Sequence, residues 1–121
     1  MTGFQWDWSF ALSVVPQLLE GLKVTVIATV LGFALALLLG LVWTLLRLAS
    51  VPVLSATVQL FVEFLRGTPF LVQLFMIFFG LPQLGIRLNG LEASLLAMTL
   101  NLAAYATEII RAGVDSIHKS Q

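Results

Sequence analysis

The sequence consists of three long apolar stretches separated by short segments that carry most of the charged residues. The clearest stretch, 24–46, holds 23 residues without a charge, between Lys23 and Arg47. As an α-helix it would be roughly 34 Å long, enough to cross a hydrocarbon core of about 30 Å. It is too long for the core of a signal peptide, and a buried helix of a soluble protein is the alternative. We predict a transmembrane helix over about 24–46.

The second stretch allows two interpretations. An uncharged run over 67–86 follows a shorter apolar segment, 54–62. It is either a span over 67–86 preceded by an interfacial helix, or one long helix over about 54–80. We favour the single helix, because Pro82 suits the end of a helix better than its interior.

The third stretch, about 92–112, is the weakest, because Glu108 and Arg111 fall within its last turns. Its charge-free part, 93–107, would be marginal as an isolated span, but it is credible beside two stronger ones. The predicted fold class is therefore an all-α membrane protein with three transmembrane helices. Residues 1–19 form an N-terminal segment at the membrane surface.

The distribution of basic residues favours a topology with the N-terminus outside the cell. Basic residues accumulate in short cytosolic loops of membrane proteins. In this topology the cytosolic side carries Arg47, Arg66, Arg111 and Lys119. The outer side carries Lys23 and Arg87, together with a run of aromatic residues typical of a membrane interface: Phe4, Trp6, Trp8 and Phe10.

Composition supports the membrane assignment and excludes several activities. Hydrophobic residues make up 60% of the 121, and six acidic and six basic residues give zero net charge. A soluble domain normally has about a quarter of its residues charged. There is no basic excess for a nucleic-acid partner and no cysteine, and the single histidine, His118, cannot form a metal site or a catalytic triad alone. We therefore expect no enzyme, no cofactor and no metal. No phosphate-binding loop is present, so if the chain takes part in active transport, ATP must bind another chain.

Small residues recur every four positions in the first predicted span, at Ala28, Gly32, Ala36 and Gly40. On a helix they share one face, where another helix backbone can approach closely. The alternative is chance in a span rich in Ala and Leu.

The second predicted helix carries an ionisable pair beside a proline. Glu63 and Arg66 are spaced i,i+3 and can pair with each other. The segment Gly67-Thr68-Pro69 follows, and Pro69 both lacks an N–H and crowds the carbonyl of Leu65, so a kink or broken turn is expected. Two interpretations remain open for these five residues: a structural kink with a surface ion pair, or a switch or packing lock in a transport path.

The third predicted helix places Asn101, Tyr105 and Glu108 on one face, at spacing i, i+4, i+7. Polar and ionisable side chains within a span are candidates for a substrate path or gate. The alternative is hydrogen bonding that holds the helices together, with Glu108 paired to Arg111 one turn later.

These segments resemble the permease subunits of bacterial ABC importers, in the polar amino acid branch. The segment VEFLRGTPFLVQ over 62–73 closely resembles that branch's E-(L/F)-(L/F)-R-G-T-P-x-L-V-Q signature. The segment AYATEIIRAG over 104–113 is similar to its A-Y-x-x-E-x-x-R-x-G pattern, and LEGLKVT over 19–25 is similar to the entry of the first span.

The resemblance implies the N-terminal part of a type I importer permease, with a partial transmembrane domain over 20–121. It implies an inner-membrane location, a second permease subunit, two ATPase subunits and an extracytoplasmic solute-binding protein. The expected substrate is an amino acid, and an ectoine-like compatible solute is an alternative. Family members continue into a cytosolic coupling loop where this sequence stops, so we expect a partial sequence. A second hypothesis is a small membrane interaction protein that transports nothing.

Overall fold

The computed structural model describes residues 3–119, with side chains through Ile117, so the Lys119 and His118 side chains lie outside the described part. Every regular element in this part is helical. The α-helices are α1 (Trp8–Ser13), α2 (Val15–Leu48), α3 (Pro52–Gly67), α4 (Phe70–Phe75) and α5 (Gly90–Lys119). A π-helical turn (Met76–Gly80) and a 3₁₀ turn (Leu81–Leu84) connect α4 to the loop before α5.

Helix α2 is the longest element, with 34 residues, and it includes the predicted span 24–46. It begins earlier than that span, because Pro16 lies in its first turn, where a helix needs no N–H donor. It ends at Leu48, where Ala49 becomes extended. Pro52 then starts α3 and disfavours a helical conformation for the residue before it.

The second apolar stretch is helical on both sides of Pro69 but is not one continuous helix over 54–80. Helix α3 ends at Gly67, and the following segment, Phe70–Leu84, turns away from it by 106°. The break lies where the proline predicted it, although its angle is far larger than a kink. The helical part also runs past Gly80 to Leu84.

Helix α5 covers the third predicted span and extends beyond it at both ends. Its start is fixed by a capping box. Asn89 Oδ1 accepts a hydrogen bond from the Glu92 backbone N–H, and Glu92 Oε2 accepts one from the Asn89 N–H, each at 2.9 Å. These bonds satisfy donors that the first helical turn leaves free, so the helix begins at Gly90.

Within residues 3–119, two helices are long and apolar enough to cross a membrane, Val15–Leu48 and Gly90–Ile117. The bent pair Pro52–Gly67 and Phe70–Leu84 is a third candidate if it is one broken span. Most large apolar side chains point outward: Val53, for example, is 75% exposed and Leu60 is 70% exposed. A chain with this surface needs a lipid environment or further protein around it.

Small residues fill the contact between α2 and α5. Gly32, Ala36 and Gly40 are buried there, and Ala28 is partly buried. At Gly40 a Cβ would lie 2.8 Å from Ala106 Cβ and 3.0 Å from the Ala103 carbonyl oxygen. Only glycine allows the two backbones to come this close at this position.

Ahead of α2, Asp7 caps the short helix α1. Its Oδ1 accepts hydrogen bonds from the Ser9 hydroxyl, at 2.8 Å, and from the backbone N–H groups of Ser9 and Phe10. The Ser9 hydroxyl bond, followed by the backbone bonds, lowers the pKa of the Asp7 carboxyl. The aromatic rings on either side of Asp7 are exposed. The Trp6 and Trp8 rings meet edge to face, with their centroids 5.4 Å apart.

Adding a methyl group at Gly40 should destabilise the protein by about 1–3 kcal/mol, the usual cost of overpacking. The clash is with the Ala106 Cβ and with backbone atoms of α5, none of which can rotate away. The matched control is Gly32→Ala, whose Cβ would meet the flexible end of Met98 at 2.6 Å. Titration of the purified protein with a denaturing detergent measures the free energy of unfolding of both variants. Equal losses for G40A and G32A would contradict this account of the helix contact.

Candidate functional site

Three arginines converge on the carboxylate of Glu108. Arg47, in the last turn of α2, donates from Nη1 to Glu108 Oε1. Arg111 Nε lies 3.6 Å from Oε2, and Arg66 Nη1, from the last turn of α3, lies 3.9 Å from Oε1. One acidic side chain of α5 therefore ties together the ends of α2 and α3. We call these four residues the Glu108 cluster.

The members of the Glu108 cluster differ in burial, and this decides what each contributes. The Arg47 side chain is 4% exposed and that of Glu108 is 24% exposed, whereas Arg66 and Arg111 are 40% and 43% exposed. A buried guanidinium without a counter-ion is costly, so Arg47 depends on Glu108. Exposed ion pairs contribute little, so Arg66 and Arg111 can leave the carboxylate at small cost.

Tyr105 joins the same cluster through its ring. The Arg66 guanidinium carbon lies 5.6 Å from the centre of the Tyr105 ring, within the range of a cation–π contact. Arg66 thus faces both Tyr105 and Glu108, which lie on neighbouring turns of α5.

The i,i+3 pair expected between Glu63 and Arg66 is not formed among the described side chains. Glu63 is exposed and accepts a hydrogen bond from Gln59 Nε2 at 2.8 Å, one turn earlier in α3. Arg66 turns instead toward α5, because Glu108 and Tyr105 together offer it a carboxylate and an aromatic face. The alternative partner named for Glu108, Arg111, is present, but Arg47 is the closer one.

Two threonines place polar contacts between α2 and α5 beside the Glu108 cluster. Thr107 Oγ1 donates to the Ala103 carbonyl at 2.8 Å and reaches the Gly40 carbonyl of α2 at 3.3 Å. Thr44 Oγ1 donates to the Gly40 carbonyl at 2.8 Å and reaches the Thr107 carbonyl at 3.3 Å. Both threonines are almost completely buried. Sequence reasoning missed them, although each lies at helical spacing from a small residue of the contact.

The break in the second span contains a second polar group. Gln73 is 5% exposed, and its Nε2 donates to the carbonyls of Leu65, at 2.5 Å, and Thr68, at 3.1 Å. Its Oε1 accepts a hydrogen bond from Asn101 Nδ2 of α5 at 3.4 Å. The sequence predicts no separate role for Gln73, although it is the one polar side chain in the run 70–82 and follows Pro69 by one turn.

The structure therefore divides the predicted polar face of α5 between two partners. Asn101 contacts Gln73 of α4, whereas Tyr105 and Glu108 contact Arg66 of α3. At the break, the Thr68 hydroxyl donates a hydrogen bond to the Phe64 carbonyl at 2.8 Å. A Cβ at Gly67 would meet nothing within 4 Å, so this glycine is not required for close packing.

Within the part of the chain that the structure describes, no group of three His, Cys, Asp or Glu side chains could hold a metal ion. What the arrangement offers is a set of ionic and amide contacts between helices. Long apolar helices, a break at a proline and polar side chains between helices define a multi-pass membrane protein.

The chain belongs to the family of binding-protein-dependent transport system inner membrane components, whose sequence pattern matches residues 36–121. It is 36% identical over 118 residues to the probable amino-acid permease protein YxeN of Bacillus subtilis and 37% identical over 116 to the arginine transport system permease protein ArtQ of the same organism. It is 37% identical over 117 residues to the glutamine transport system permease protein GlnP of Escherichia coli. Each comparison covers 95% of this chain and 53% of the relative.

A solved structure shows the same fold. A crystal structure described as an amino acid ABC transporter with histidines superposes with a TM-score of 0.89 at 32% identity, over 94% of this chain and 53% of that one. The expected resemblance to amino acid permeases and the all-helical membrane fold are confirmed. The chain spans about half the length of the curated relatives it matches.

Removing the buried arginine should destabilise the bundle far more than removing an exposed one. We expect Arg47→Met to cost about 3 kcal/mol, because it leaves the partly buried Glu108 with only two longer contacts. Arg111→Met should cost less than about 1 kcal/mol, because that side chain is 43% exposed and water can replace its contact. Unfolding in detergent measures both.

The double variant Arg47→Met/Glu108→Met serves as the control for this pair. Replacing both members of a buried ion pair by apolar side chains removes the unpaired charge, so stability should recover most of the loss seen in R47M. The single variants R47M and E108M complete the comparison. If the double variant loses as much free energy of unfolding as these two together, the contact is not an ion pair of this kind.

Proposed function

We propose that this chain forms part of the permease of an ATP-driven ABC importer that moves amino acids across the bacterial inner membrane. The observation that carries this is the similarity to amino acid permeases over 95% of the chain. The geometry agrees, because polar side chains gather at the break between α3 and α4, and transporters place irregular backbone at such breaks.

The proposed topology has the N-terminus outside and the Glu108 cluster on the cytosolic side. The meeting of Arg47, Arg66 and Arg111 supports this, because basic residues favour the cytosolic ends of spans. Residues 1–19, with their exposed aromatic rings, then lie at the outer surface, and 20–121 form the transmembrane part.

The proposed partners are ABC ATPase subunits, a second permease subunit, an extracytoplasmic solute-binding protein and the lipid bilayer. Hydrolysis of ATP on the separate ATPase would drive alternating access, in which helices rearrange about a fixed substrate path. This chain supplies helices and contacts to that process, and no chemistry.

Within this mechanism we assign Glu108 and Tyr105 to a gate rather than to catalysis. Glu108 holds Arg47 permanently and Arg66 weakly, because the first pair is buried and the second is exposed. Separation of α3 from α5 would therefore release Arg66 from Tyr105 and Glu108 while the contact of α2 with α5 remains. Arg66 and the break at Gly67-Thr68-Pro69 act as the moving side of this gate.

Neutralising the carboxylate tests the proposal. In proteoliposomes containing the transporter assembled with this chain, Glu108→Gln should lower initial amino acid uptake at least about tenfold, because one buried charge contact is lost. The matched control is Glu92→Gln on the same helix, since glutamine can also complete a capping box. Radiolabelled amino acids supplied with the binding protein and ATP give the measurement.

One result would contradict the gate role of Glu108, and another would contradict the proposed substrate class. Unchanged uptake in E108Q, at equal abundance in the membrane, would remove the gate role. Uptake of compatible solutes but of no amino acid by the unaltered transporter would overturn the proposed substrate class.

A further inference from the structure

The bend between α3 and α4 has an amide side chain on its inner side. Gln73 uses both hydrogens of its Nε2 group there, toward the carbonyls of Leu65 and Thr68. Its own backbone N–H donates to the Pro69 carbonyl at 3.1 Å and so starts α4. Gln73 thus bonds through its side chain to residues before Pro69 and through its backbone to the Pro69 carbonyl.

The physical need for this side chain comes from Pro69. In a continuous helix the N–H of residue 69 would donate to the carbonyl of Leu65, and proline has no N–H. The Thr68 N–H reaches that carbonyl only at 3.4 Å. An unsatisfied carbonyl in an apolar environment is costly, and the 2.5 Å bond from Gln73 removes this cost.

The third contact of Gln73 leaves the bend and reaches α5. It joins Gln73 Oε1 to Asn101 Nδ2 at 3.4 Å, well beyond the usual hydrogen-bond length of about 2.9–3.0 Å. It is therefore the weakest of the three contacts. The hydrogen bonds of Gln73 therefore hold the bend from inside more strongly than they join it to α5, against which α4 also packs.

The segment that follows is irregular, as a moving element would be. Helix α4 passes into the π-helical turn Met76–Gly80 and the 3₁₀ turn Leu81–Leu84, which ends at Gly85 with φ +85°. Such irregular turns within a helical stretch often mark hinges. The firm bend at one end and the glycine at the other define a short segment, 70–84, that can shift as a unit.

We propose that Gln73 is a positioning residue that fixes the bend between α3 and α4 in place of the N–H that Pro69 lacks, and that Asn101 couples this bend to α5. The coupling rests on the proposed transport function, since it assigns the Gln73–Asn101 contact as the one that opens when segment 70–84 moves. The fixing of the bend does not depend on transport.

Distances between spin labels separate the two parts. The chain has no cysteine, so cysteines introduced at Leu60, Met76 and Ile109 are its only labelling sites. These side chains are 70%, 55% and 72% exposed. The pair 60/76 reports the bend, and the pair 76/109 reports the position of the segment against α5. The assembled transporter, with its other subunits free of cysteine, is diluted with unlabelled chain so that only distances within one chain are read.

Each variant has a different expected result. Gln73→Leu should broaden both distance distributions, because the bend and its link to α5 are lost together. Asn101→Leu should broaden only the 76/109 distribution. The matched control, Gln83→Leu, should broaden neither, because its exposed amide makes only a 3.5 Å contact with the Phe79 carbonyl.

A 60/76 distribution in Q73L as narrow as in the unaltered protein would overturn the positioning role. If Q73L fails to insert, N101L decides: broadening of both pairs, or of neither, overturns the proposal. Uptake in Q73L should fall about tenfold, the effect of losing one buried hydrogen bond. An unaltered transporter that takes up no amino acid would refute the transport function, while the distances would still test the bend.

Discussion

The close approach of α2 and α5 at Gly40 is the contact on which the rest of the structure depends. A side chain at this position would collide with the Ala106 side chain and with backbone atoms of Ala103 and Thr107. Because the two backbones come together here, the Thr44 and Thr107 hydroxyls can bond across the interface. Two turns beyond Gly40, the same alignment brings Arg47 to Glu108. The ion pair of Arg47 with Glu108 therefore depends on small uncharged residues, which let α2 and α5 approach each other closely.

The second constraint is that backbone groups inside an apolar environment must find partners within the protein. Pro69 breaks the helical pattern, and side chains bond to the carbonyls beside the break: the Thr68 hydroxyl donates to the Phe64 carbonyl and Gln73 to the Leu65 carbonyl. With these bonds the Phe64 and Leu65 carbonyls keep hydrogen-bond partners at a bend of 106°. The position of the polar residues around the break thus follows from the proline, whatever their role in transport.

Local rules predicted the parts of this structure that depend on neighbours along the chain. Length and apolarity predicted α2 and α5, and the geometry of Pro69 predicted where the second stretch breaks. The partners of Arg66 were beyond such rules. The i,i+3 spacing of Glu63 and Arg66 is a weak preference, and a carboxylate and a ring from α5 outweigh it. The pairing of Arg47 with Glu108 joins residues 61 positions apart, and nothing in either local sequence identifies the other. The contact of the Gln73 amide with the Leu65 carbonyl, eight positions back across the break, was likewise beyond local rules.

The contacts of the Glu108 cluster and those of Gln73 differ in strength, and this decides which of them can change when the helices rearrange. Separating Arg47 from Glu108 would leave the buried Arg47 guanidinium without its counter-ion between apolar helices, at a cost of several kcal/mol. The Gln73–Asn101 contact joins neutral groups at 3.4 Å, and a neutral hydrogen bond contributes only about 1 kcal/mol. The contacts of Arg66, whose side chain is 40% exposed, are weak for a different reason, because water can replace them. Among these polar contacts, those that join α3 and the segment 70–84 to α5 therefore cost less to separate than the ion pair that joins α2 to α5.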